Sequence, residues 1–298
     1  MGPEQSARTE LRVRAPFDGA GLFAFFKARA LPGVERVEEN SYERTFTQGE
    51  RAGALRVALE GRGRSLFLSQ KIPLWANPDD LTVRVSRLFD RSSNPRAIGR
   101  VLSRDPLLAP LVARRPGLRI PGAWDPFEVA VRAVLGQQIS VAGARTLAGR
   151  LVALCGRALP KALVRPGLTH AFPAPAAVAA ADLARVGLPR ARAASLRNFA
   201  RAVADGSFAL AAPRGLDEFE RRLTALPGFG PWTAHVVALR AFGESDAFPE
   251  GDLGLVRAME RAGVARKGIA ARAERWRPYR AYATLHLWAS LADGKGGA

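Results

Sequence analysis

The sequence predicts an α+β protein, with a small N-terminal α+β domain on an antiparallel sheet over residues 9–92 and a mostly α-helical body over 93–298. Three observations lead there. Apolar residues alternate singly through residues 9–70 between glycines, a well-capped helix start stands at Asn77, and the apolar spacing from there onward is helical.

Leu11 and Val13 in TELRVRA, Tyr42 to Phe46 in SYERTF, Leu55, Val57 and Leu59 in ALRVALE, and Leu66 and Leu68 in RSLFLSQ mark the strands. Gly49, Gly61 and Gly63 punctuate them, and the helix-like GLFAFFKARAL (21–31) interrupts the first two, which makes the opening segment α+β. Asn77-Pro78-Asp79-Asp80 supplies a capping side chain, a proline suited to the first helical position and two acids for the first turn; Leu81, Val85, Leu88 and Phe89 then share a face. In DPFEVAVRAVLGQQISVAGARTLAGRLVALCG, Asp125, Pro126 and Glu128 predict a capping box, and Ser140 a second cap before Leu147, Leu151 and Leu154. Pro-Gly and lone Pro breaks from Pro116 to Pro278 cut the rest into short helices.

At 298 residues and 48% hydrophobic composition the chain can bury about two cores, and it is not a disordered sequence. A single cysteine, Cys155, excludes an internal disulfide, a thiolate zinc site and an iron–sulfur cluster. No apolar run approaches the roughly 18 residues of a membrane span. The start MGPEQSARTE lacks the apolar stretch of a signal peptide, so the expectation is a soluble, cytoplasmic protein.

The formal charge of +18 points to a polyanion, nucleic acid before an anionic membrane. Codon bias in a GC-rich genome accounts for it equally well: of 45 basic residues only Lys27, Lys71, Lys161, Lys267 and Lys295 are lysines. Charge alone leaves both readings open.

Residues 216–255 carry the chemistry. Leu216, Phe219 and Leu223 form one helical face, Leu226-Pro227-Gly228-Phe229-Gly230 a turn, and Pro231 the first position of a second helix. Such a helix–hairpin–helix brings free amides to a helix N-terminus, where a phosphate is favoured, and aims carbonyls outward, where a monovalent cation could bridge to it. An ordinary helix corner explains the bare turn as well. Beyond it Asp252, after Pro249 and Gly251, precedes an apolar helix. Asp before a helix is most often an N-cap, and an N-cap is also a fixed anion of the kind a cationic transition state needs. His235 and His286 sit in helical segments with His170 remote, which is no metal-ligand spacing.

LPGFGPWTAHVVALRAFGESDAFPEGDLGL resembles the hairpin, Gly/Pro-rich loop and aspartate of the helix–hairpin–helix (HhH-GPD) DNA glycosylases. SRLFDRSSNP, ARRPGLRIPG, DPFEVAVRAVLGQQISVAGARTLAGRL, FPAPAAVAAADLARVGLPRARAASL and ERWRPYRAYATLHLW resemble, in order, the AlkA-like 3-methyladenine glycosylases within them, so the likeness runs from about Leu11 to Trp288. It implies a two-subdomain helical core with the hairpin at about 217–242 and the catalytic loop at about 246–253. It further implies a flipped-out alkylated purine and damaged double-stranded DNA as partner, with a monomeric enzyme expected.

Residue by residue, the resemblance places Asp252 on the essential aspartate, Trp232 and Trp288 on pocket tryptophans, and Phe25 on an aromatic from the N-terminal domain; core packing is the plain alternative for the tryptophans. Val236 and Leu253 replace two expected tyrosines. Gln137 and Gln138 fall at the wedge that fills the vacated stack, with Gln138 in place of an expected leucine. Backbone at Gly228, Phe229, Gly230, Trp232 and Thr233 falls on the phosphate site, and the carbonyls of Thr224, Leu226 and Phe229 on a structural Na+ or K+ site. No cofactor is implied as required, neither zinc nor iron–sulfur cluster. Arg190 and Arg192 near another glycine turn could meet phosphate, though charge runs usually mark only a solvated face.

No lysine stands between Lys161 and Lys267, and by the resemblance Trp232 occupies the position where lyase-active superfamily members carry one, so a monofunctional enzyme that leaves an abasic site is expected. The rival readings are a catalytically silent lesion-sensing protein and a glycosylase for deaminated or oxidised bases. The absence of an evident acid beside Asp252 counts against the last.

Overall fold

A computed structural model describes residues 6–61, 67–212 and 214–293. Leu66 and Gly63 lie outside the described residues. Strands β1 (Ser6–Arg12), β2 (Glu35–Val37), β3 (Ser41–Gln48), β4 (Arg51–Glu60) and β5 (Phe67–Pro73) pair antiparallel in the order β1-β5-β4-β3-β2. The alternation does what a half-buried sheet requires: Leu55 and Val57 of β4 and Leu68 and Ile72 of β5 all turn to one buried face.

Helix α1 (Gly19–Arg29) covers that face together with α2 (Pro78–Leu88). It begins two residues before the apolar spacing does, because Asp18 caps it by accepting the Gly21 amide at 2.9 Å. Asn77 caps α2 through the Asp79 and Asp80 amides, with Pro78 in the first turn, and Leu81, Val85, Leu88 and Phe89 are buried as their spacing predicts.

The helical body follows with α3 (Pro95–Leu102), α4 (Ala109–Arg114), α5 (Pro126–Gly136), α6 (Val141–Cys155), α7 (Pro175–Ala180), α8 (Arg190–Ala204), α9 (Leu216–Thr224), α10 (Pro231–Val237), α11 (Leu253–Arg261), α12 (Ile269–Ala273) and α13 (Arg280–Asp293). A two-stranded ribbon, β6 (Arg157–Ala158) with β7 (His170–Ala171), lies between α6 and α7. None of the described helices is long and apolar enough to cross a membrane.

The capping box at Asp125 forms only in half. Asp125 accepts the Phe127 and Glu128 amides at 2.8 and 3.1 Å. Glu128 does not reach back; its carboxylate turns across the domain junction to Arg44 Nη2 at 2.7 Å and Arg132 Nη1 at 3.0 Å. The reason lies in β3: Arg44 follows Tyr42 and precedes Phe46 on the buried strand face, and a buried guanidinium needs a buried carboxylate. Arg132 extends the network to Glu35 at 3.1 Å and to the carbonyl of Arg29, the last residue of α1, at 2.6 Å. The sheet domain is thus tied through α1 to α5.

Candidate active site

Asp252 is the N-cap of α11, its Oδ1 accepting the Leu255 amide at 2.8 Å. The same oxygen accepts the indole N–H of Trp288 on α13 at 2.8 Å, and Oδ2 accepts that of Trp232 on α10 at 3.0 Å. Three elements thus converge on one half-buried carboxylate. A carboxylate offers about four acceptor positions; three donors leave one, on Oδ2. Gly254 makes room for this arrangement, since a Cβ there would sit 3.0 Å from Asp252 Oδ1 and 3.2 Å from the Trp288 ring.

The loop and helix that carry this carboxylate and its indoles are fastened by further bonds. Pro249 O accepts the Asp252 amide at 2.9 Å and closes the turn before the helix. Upstream, Arg280 at the start of α13 holds Asp246 by contacts of 2.8 and 2.9 Å, and the Ala281 amide donates to Ser245 O at 3.0 Å. Tyr282 on α13 donates to Asp90 at 2.8 Å, which fixes the helix that presents Trp288. Burial raises the Asp90 carboxyl above its ordinary range.

The hairpin joins α9 to α10. Gly228 has φ +86°, and a Cβ there would meet Ser195 Oγ at 2.5 Å, so glycine is required on both counts. A Cβ on Gly230 would meet nothing, which leaves its surface open to an approaching ligand. No side chain caps α10, whose first residue is Pro231, so the Trp232 and Thr233 amides fall among the helix's unpaired donors. Phe229 differs: its amide donates to Leu226 O at 3.1 Å inside the turn.

Gln137 and Gln138 are separated by the fold. The Gln137 amide donates to Gly228 O at 3.0 Å and to Thr233 Oγ1 at 3.3 Å, so it braces α5 against the hairpin. Gln138 is exposed and held at φ +60°, where a non-glycine residue is strained. Val236 is buried on α10, whereas Leu253 is 60% exposed at the head of α11. Phe25 lies half-buried on α1 and meets the helical body through Arg240, whose guanidinium carbon is 5.4 Å from the ring centroid. Arg190 opens α8 exposed, and Arg192 follows half-buried on the same helix.

Residues 8–125 match the AlkA N-terminal domain family, and residues 131–280 match the HhH-GPD superfamily of base excision DNA repair proteins. The DNA-3-methyladenine glycosylase 2 of Escherichia coli (strain K12) is 34% identical over 284 residues, which cover 93% of this chain and 95% of that relative. The chain belongs to the HhH-GPD superfamily, with an AlkA-type N-terminal domain. A Mycobacterium tuberculosis (strain ATCC 25618 / H37Rv) relative described as a probable bifunctional transcriptional activator/DNA repair enzyme AlkA is 40% identical over 285 residues, 94% of this chain. The chain spans only 56% of that relative's length. The 3-methyladenine DNA glycosylase from Archaeoglobus fulgidus shares the fold of this HhH-GPD chain at a TM-score of 0.78, with 23% identity over 94% of this chain and 97% of that one.

Sequence reasoning passed over three further side chains, Arg29 and Arg240 beside the Phe25 ring and Ile139 beside Gln138. The Arg29 guanidinium carbon lies 3.8 Å from the Phe25 ring centroid. Burial and the Arg132 guanidinium pull Arg29 down to about 10, with the Asp252 charge opposing them, and burial with Arg132 and Arg29 pulls Arg240 to about 9; both stay cationic at neutral pH. The i, i+4 spacing of Phe25 and Arg29 on one helix was a readable signal. Ile139, 41% exposed beside Gln138, is the third, and an apolar residue at an exposed helix junction was its signal.

Proposed function

We propose that this protein is a base excision repair DNA glycosylase that hydrolyses the N-glycosidic bond of alkylated bases in double-stranded DNA. The reading has it act as a monofunctional monomer in the cytoplasm and leave an abasic site. The observation that carries it is the convergence of Trp232, Trp288 and the Leu255 amide on the single carboxylate of Asp252. A structural N-cap needs backbone donors alone, whereas this one is also aimed by two indoles.

A base inside a duplex hides its glycosidic bond, so the nucleotide must leave the stack before the carboxylate can reach the sugar. An alkylated purine such as N3-methyladenine is already cationic and departs without acid help, and electron-rich indole faces attract it. As the bond from C1′ to the base lengthens, positive charge develops on the sugar. The remaining acceptor position on Asp252 Oδ2 can face that charge or take a proton from the attacking water, whose oxygen bonds to C1′.

Gln138 at the exposed junction would fill the vacated stack. The amides at the head of α10 would receive a backbone phosphate. The carbonyls of Thr224, Leu226 and Phe229 are the groups that would hold a monovalent cation there; Leu226 O, which already accepts the Phe229 amide, keeps a second lone pair for it.

Chromatography of bases freed from methylated duplex by the purified protein tests the reading. Release of 3-methyladenine or 7-methylguanine is expected, and Asp252→Asn should lose at least about 100-fold in rate while retaining DNA affinity. DNA binding with no base released by the wild-type protein would identify a lesion-sensing protein instead.

Arg29 and Arg240 favour a second reading of substrate range. Two guanidiniums at the Phe25 wall repel a cationic base and are compatible with a neutral one, so deaminated or oxidised bases belong in the same assay.

A further inference from the structure

His235 stands on α10 between Ala234 and Val236, and neither the carboxylate nor the pocket accounts for it. Its Nδ1 lies 2.8 Å from the Phe248 amide and its Nε2 lies 2.9 Å from Glu220 Oε2 on α9. A backbone amide only donates, so Nδ1 must be the bare, accepting nitrogen and the ring proton resides on Nε2, facing Glu220. One imidazole thereby joins the first hairpin helix, the second hairpin helix and the loop that delivers Asp252.

The loop needs such a tie at that point. Asp246 is fastened to Arg280, and Asp252 is fastened by its cap and two indoles, with Phe248 midway. Beside the ring runs a cleft bordered by Glu220, Trp232, His235, Phe248, Glu250 and Arg266. The Phe248 ring packs inward against Trp276 and under Arg280, while its backbone amide faces the cleft side and is held there by His235 Nδ1.

We propose that His235 is a positioning residue: its neutral Nε2–H imidazole holds the Phe248 amide and thereby sets the height of Asp252 against the reacting sugar. The inference rests on the reading of Asp252 as the reacting carboxylate, and it adds Glu220 as the group that orients the ring.

Three substitutions separate the two ring nitrogens. In His235→Asn the amide oxygen falls near the Nδ1 position and can accept from Phe248; in His235→Gln the amide falls near Nε2 and can meet Glu220 without that acceptor; His235→Leu offers neither. Single-turnover base release, affinity for a duplex with an abasic-site analogue, and hydrogen exchange at the Phe248 amide are measured for each. The Asn variant should stay within about 3-fold of wild type, and Gln and Leu should slow by roughly 10- to 100-fold, with faster Phe248 exchange and unchanged DNA affinity. Equal rates in Asn and Gln, or unaltered Phe248 exchange in Gln, would overturn the tether. Absence of base release by wild type would sink the glycosylase reading alone, because the exchange comparison still reports on the tether.

Discussion

Arg44 Nη2 lies 2.7 Å from Glu128 Oε2, with both side chains more than nine-tenths buried between β3 and α5. This pair and its extensions through Arg132 and Glu35 hold the N-terminal sheet against the helical body, and α1, which bears Phe25, lies within that grip. Removing one partner leaves an uncompensated charge in a site that water reaches poorly. Glu128→Gln should therefore lower unfolding stability by about 3 kcal/mol, read from urea denaturation. The double replacement Arg44→Met with Glu128→Leu should recover most of that loss. A Glu128→Gln protein as stable as wild type would show that the junction does not depend on the pair.

Glu35 gives the same network a pH dependence. Burial disfavours its charge, but the Arg132 and Arg44 guanidiniums, the Tyr42 hydroxyl and the Leu31 amide together hold its carboxyl well below the ordinary range. A carboxyl whose folded pKa is depressed adds stability above its unfolded value, about 4.3, and that stability is lost as pH falls through the folded value. Melting temperature should thus drop more steeply below about pH 4.5 in wild type than in Glu35→Gln. Parallel acid limbs in the two proteins would remove Glu35 from the account.

Much of this architecture was legible in the residues because the signals were local. Asn77-Pro78, Asp125-Pro126 and Ser140 each mark a helix start, and each caps one. Strand β2 was not legible: Glu35-Arg36-Val37 is three residues long and two are charged, so it carries no alternation, and its place is set by pairing with β3. Glu128 misled for a related reason. Its spacing from Asp125 fits a capping box, but a guanidinium 84 residues upstream claims it, and no local pattern encodes that contact. The convergence of both indoles on Asp252 is likewise tertiary, for Trp288 comes from a helix 36 residues further along. Resemblance could place each of these residues at the pocket, whereas only the fold shows that they share hydrogen bonds.

Gln138 offers a case in which stability and function should move in opposite directions. Its φ of +60° strains a side chain that glycine would not carry, so Gln138→Gly should raise stability by up to about 1 kcal/mol in thermal melting. The same change removes the exposed amide and should weaken binding to a duplex carrying an abasic-site analogue, as should Gln138→Ala. Unchanged affinity in both variants would transfer the wedge to Ile139, the exposed apolar neighbour, and Ile139→Ser would then be the variant that loses binding.

Arg29 should tune which bases the pocket admits. Its guanidinium carbon lies 3.8 Å from the Phe25 centroid, so under the proposed function it opposes a cationic base held against that ring. Arg29→Met keeps much of the apolar stem that covers the ring and removes only the charge. Release of cationic 3-methyladenine and 7-methylguanine should then rise by about 5- to 10-fold relative to release of a neutral base such as hypoxanthine, since a charge screened at the pocket rim acts at the level of about 1 kcal/mol. Competition assays on duplexes carrying one lesion of each kind measure the ratio directly. An unaltered ratio would mean that the Arg29 side chain swings clear of the pocket before the base arrives, leaving discrimination to Trp232 and Trp288.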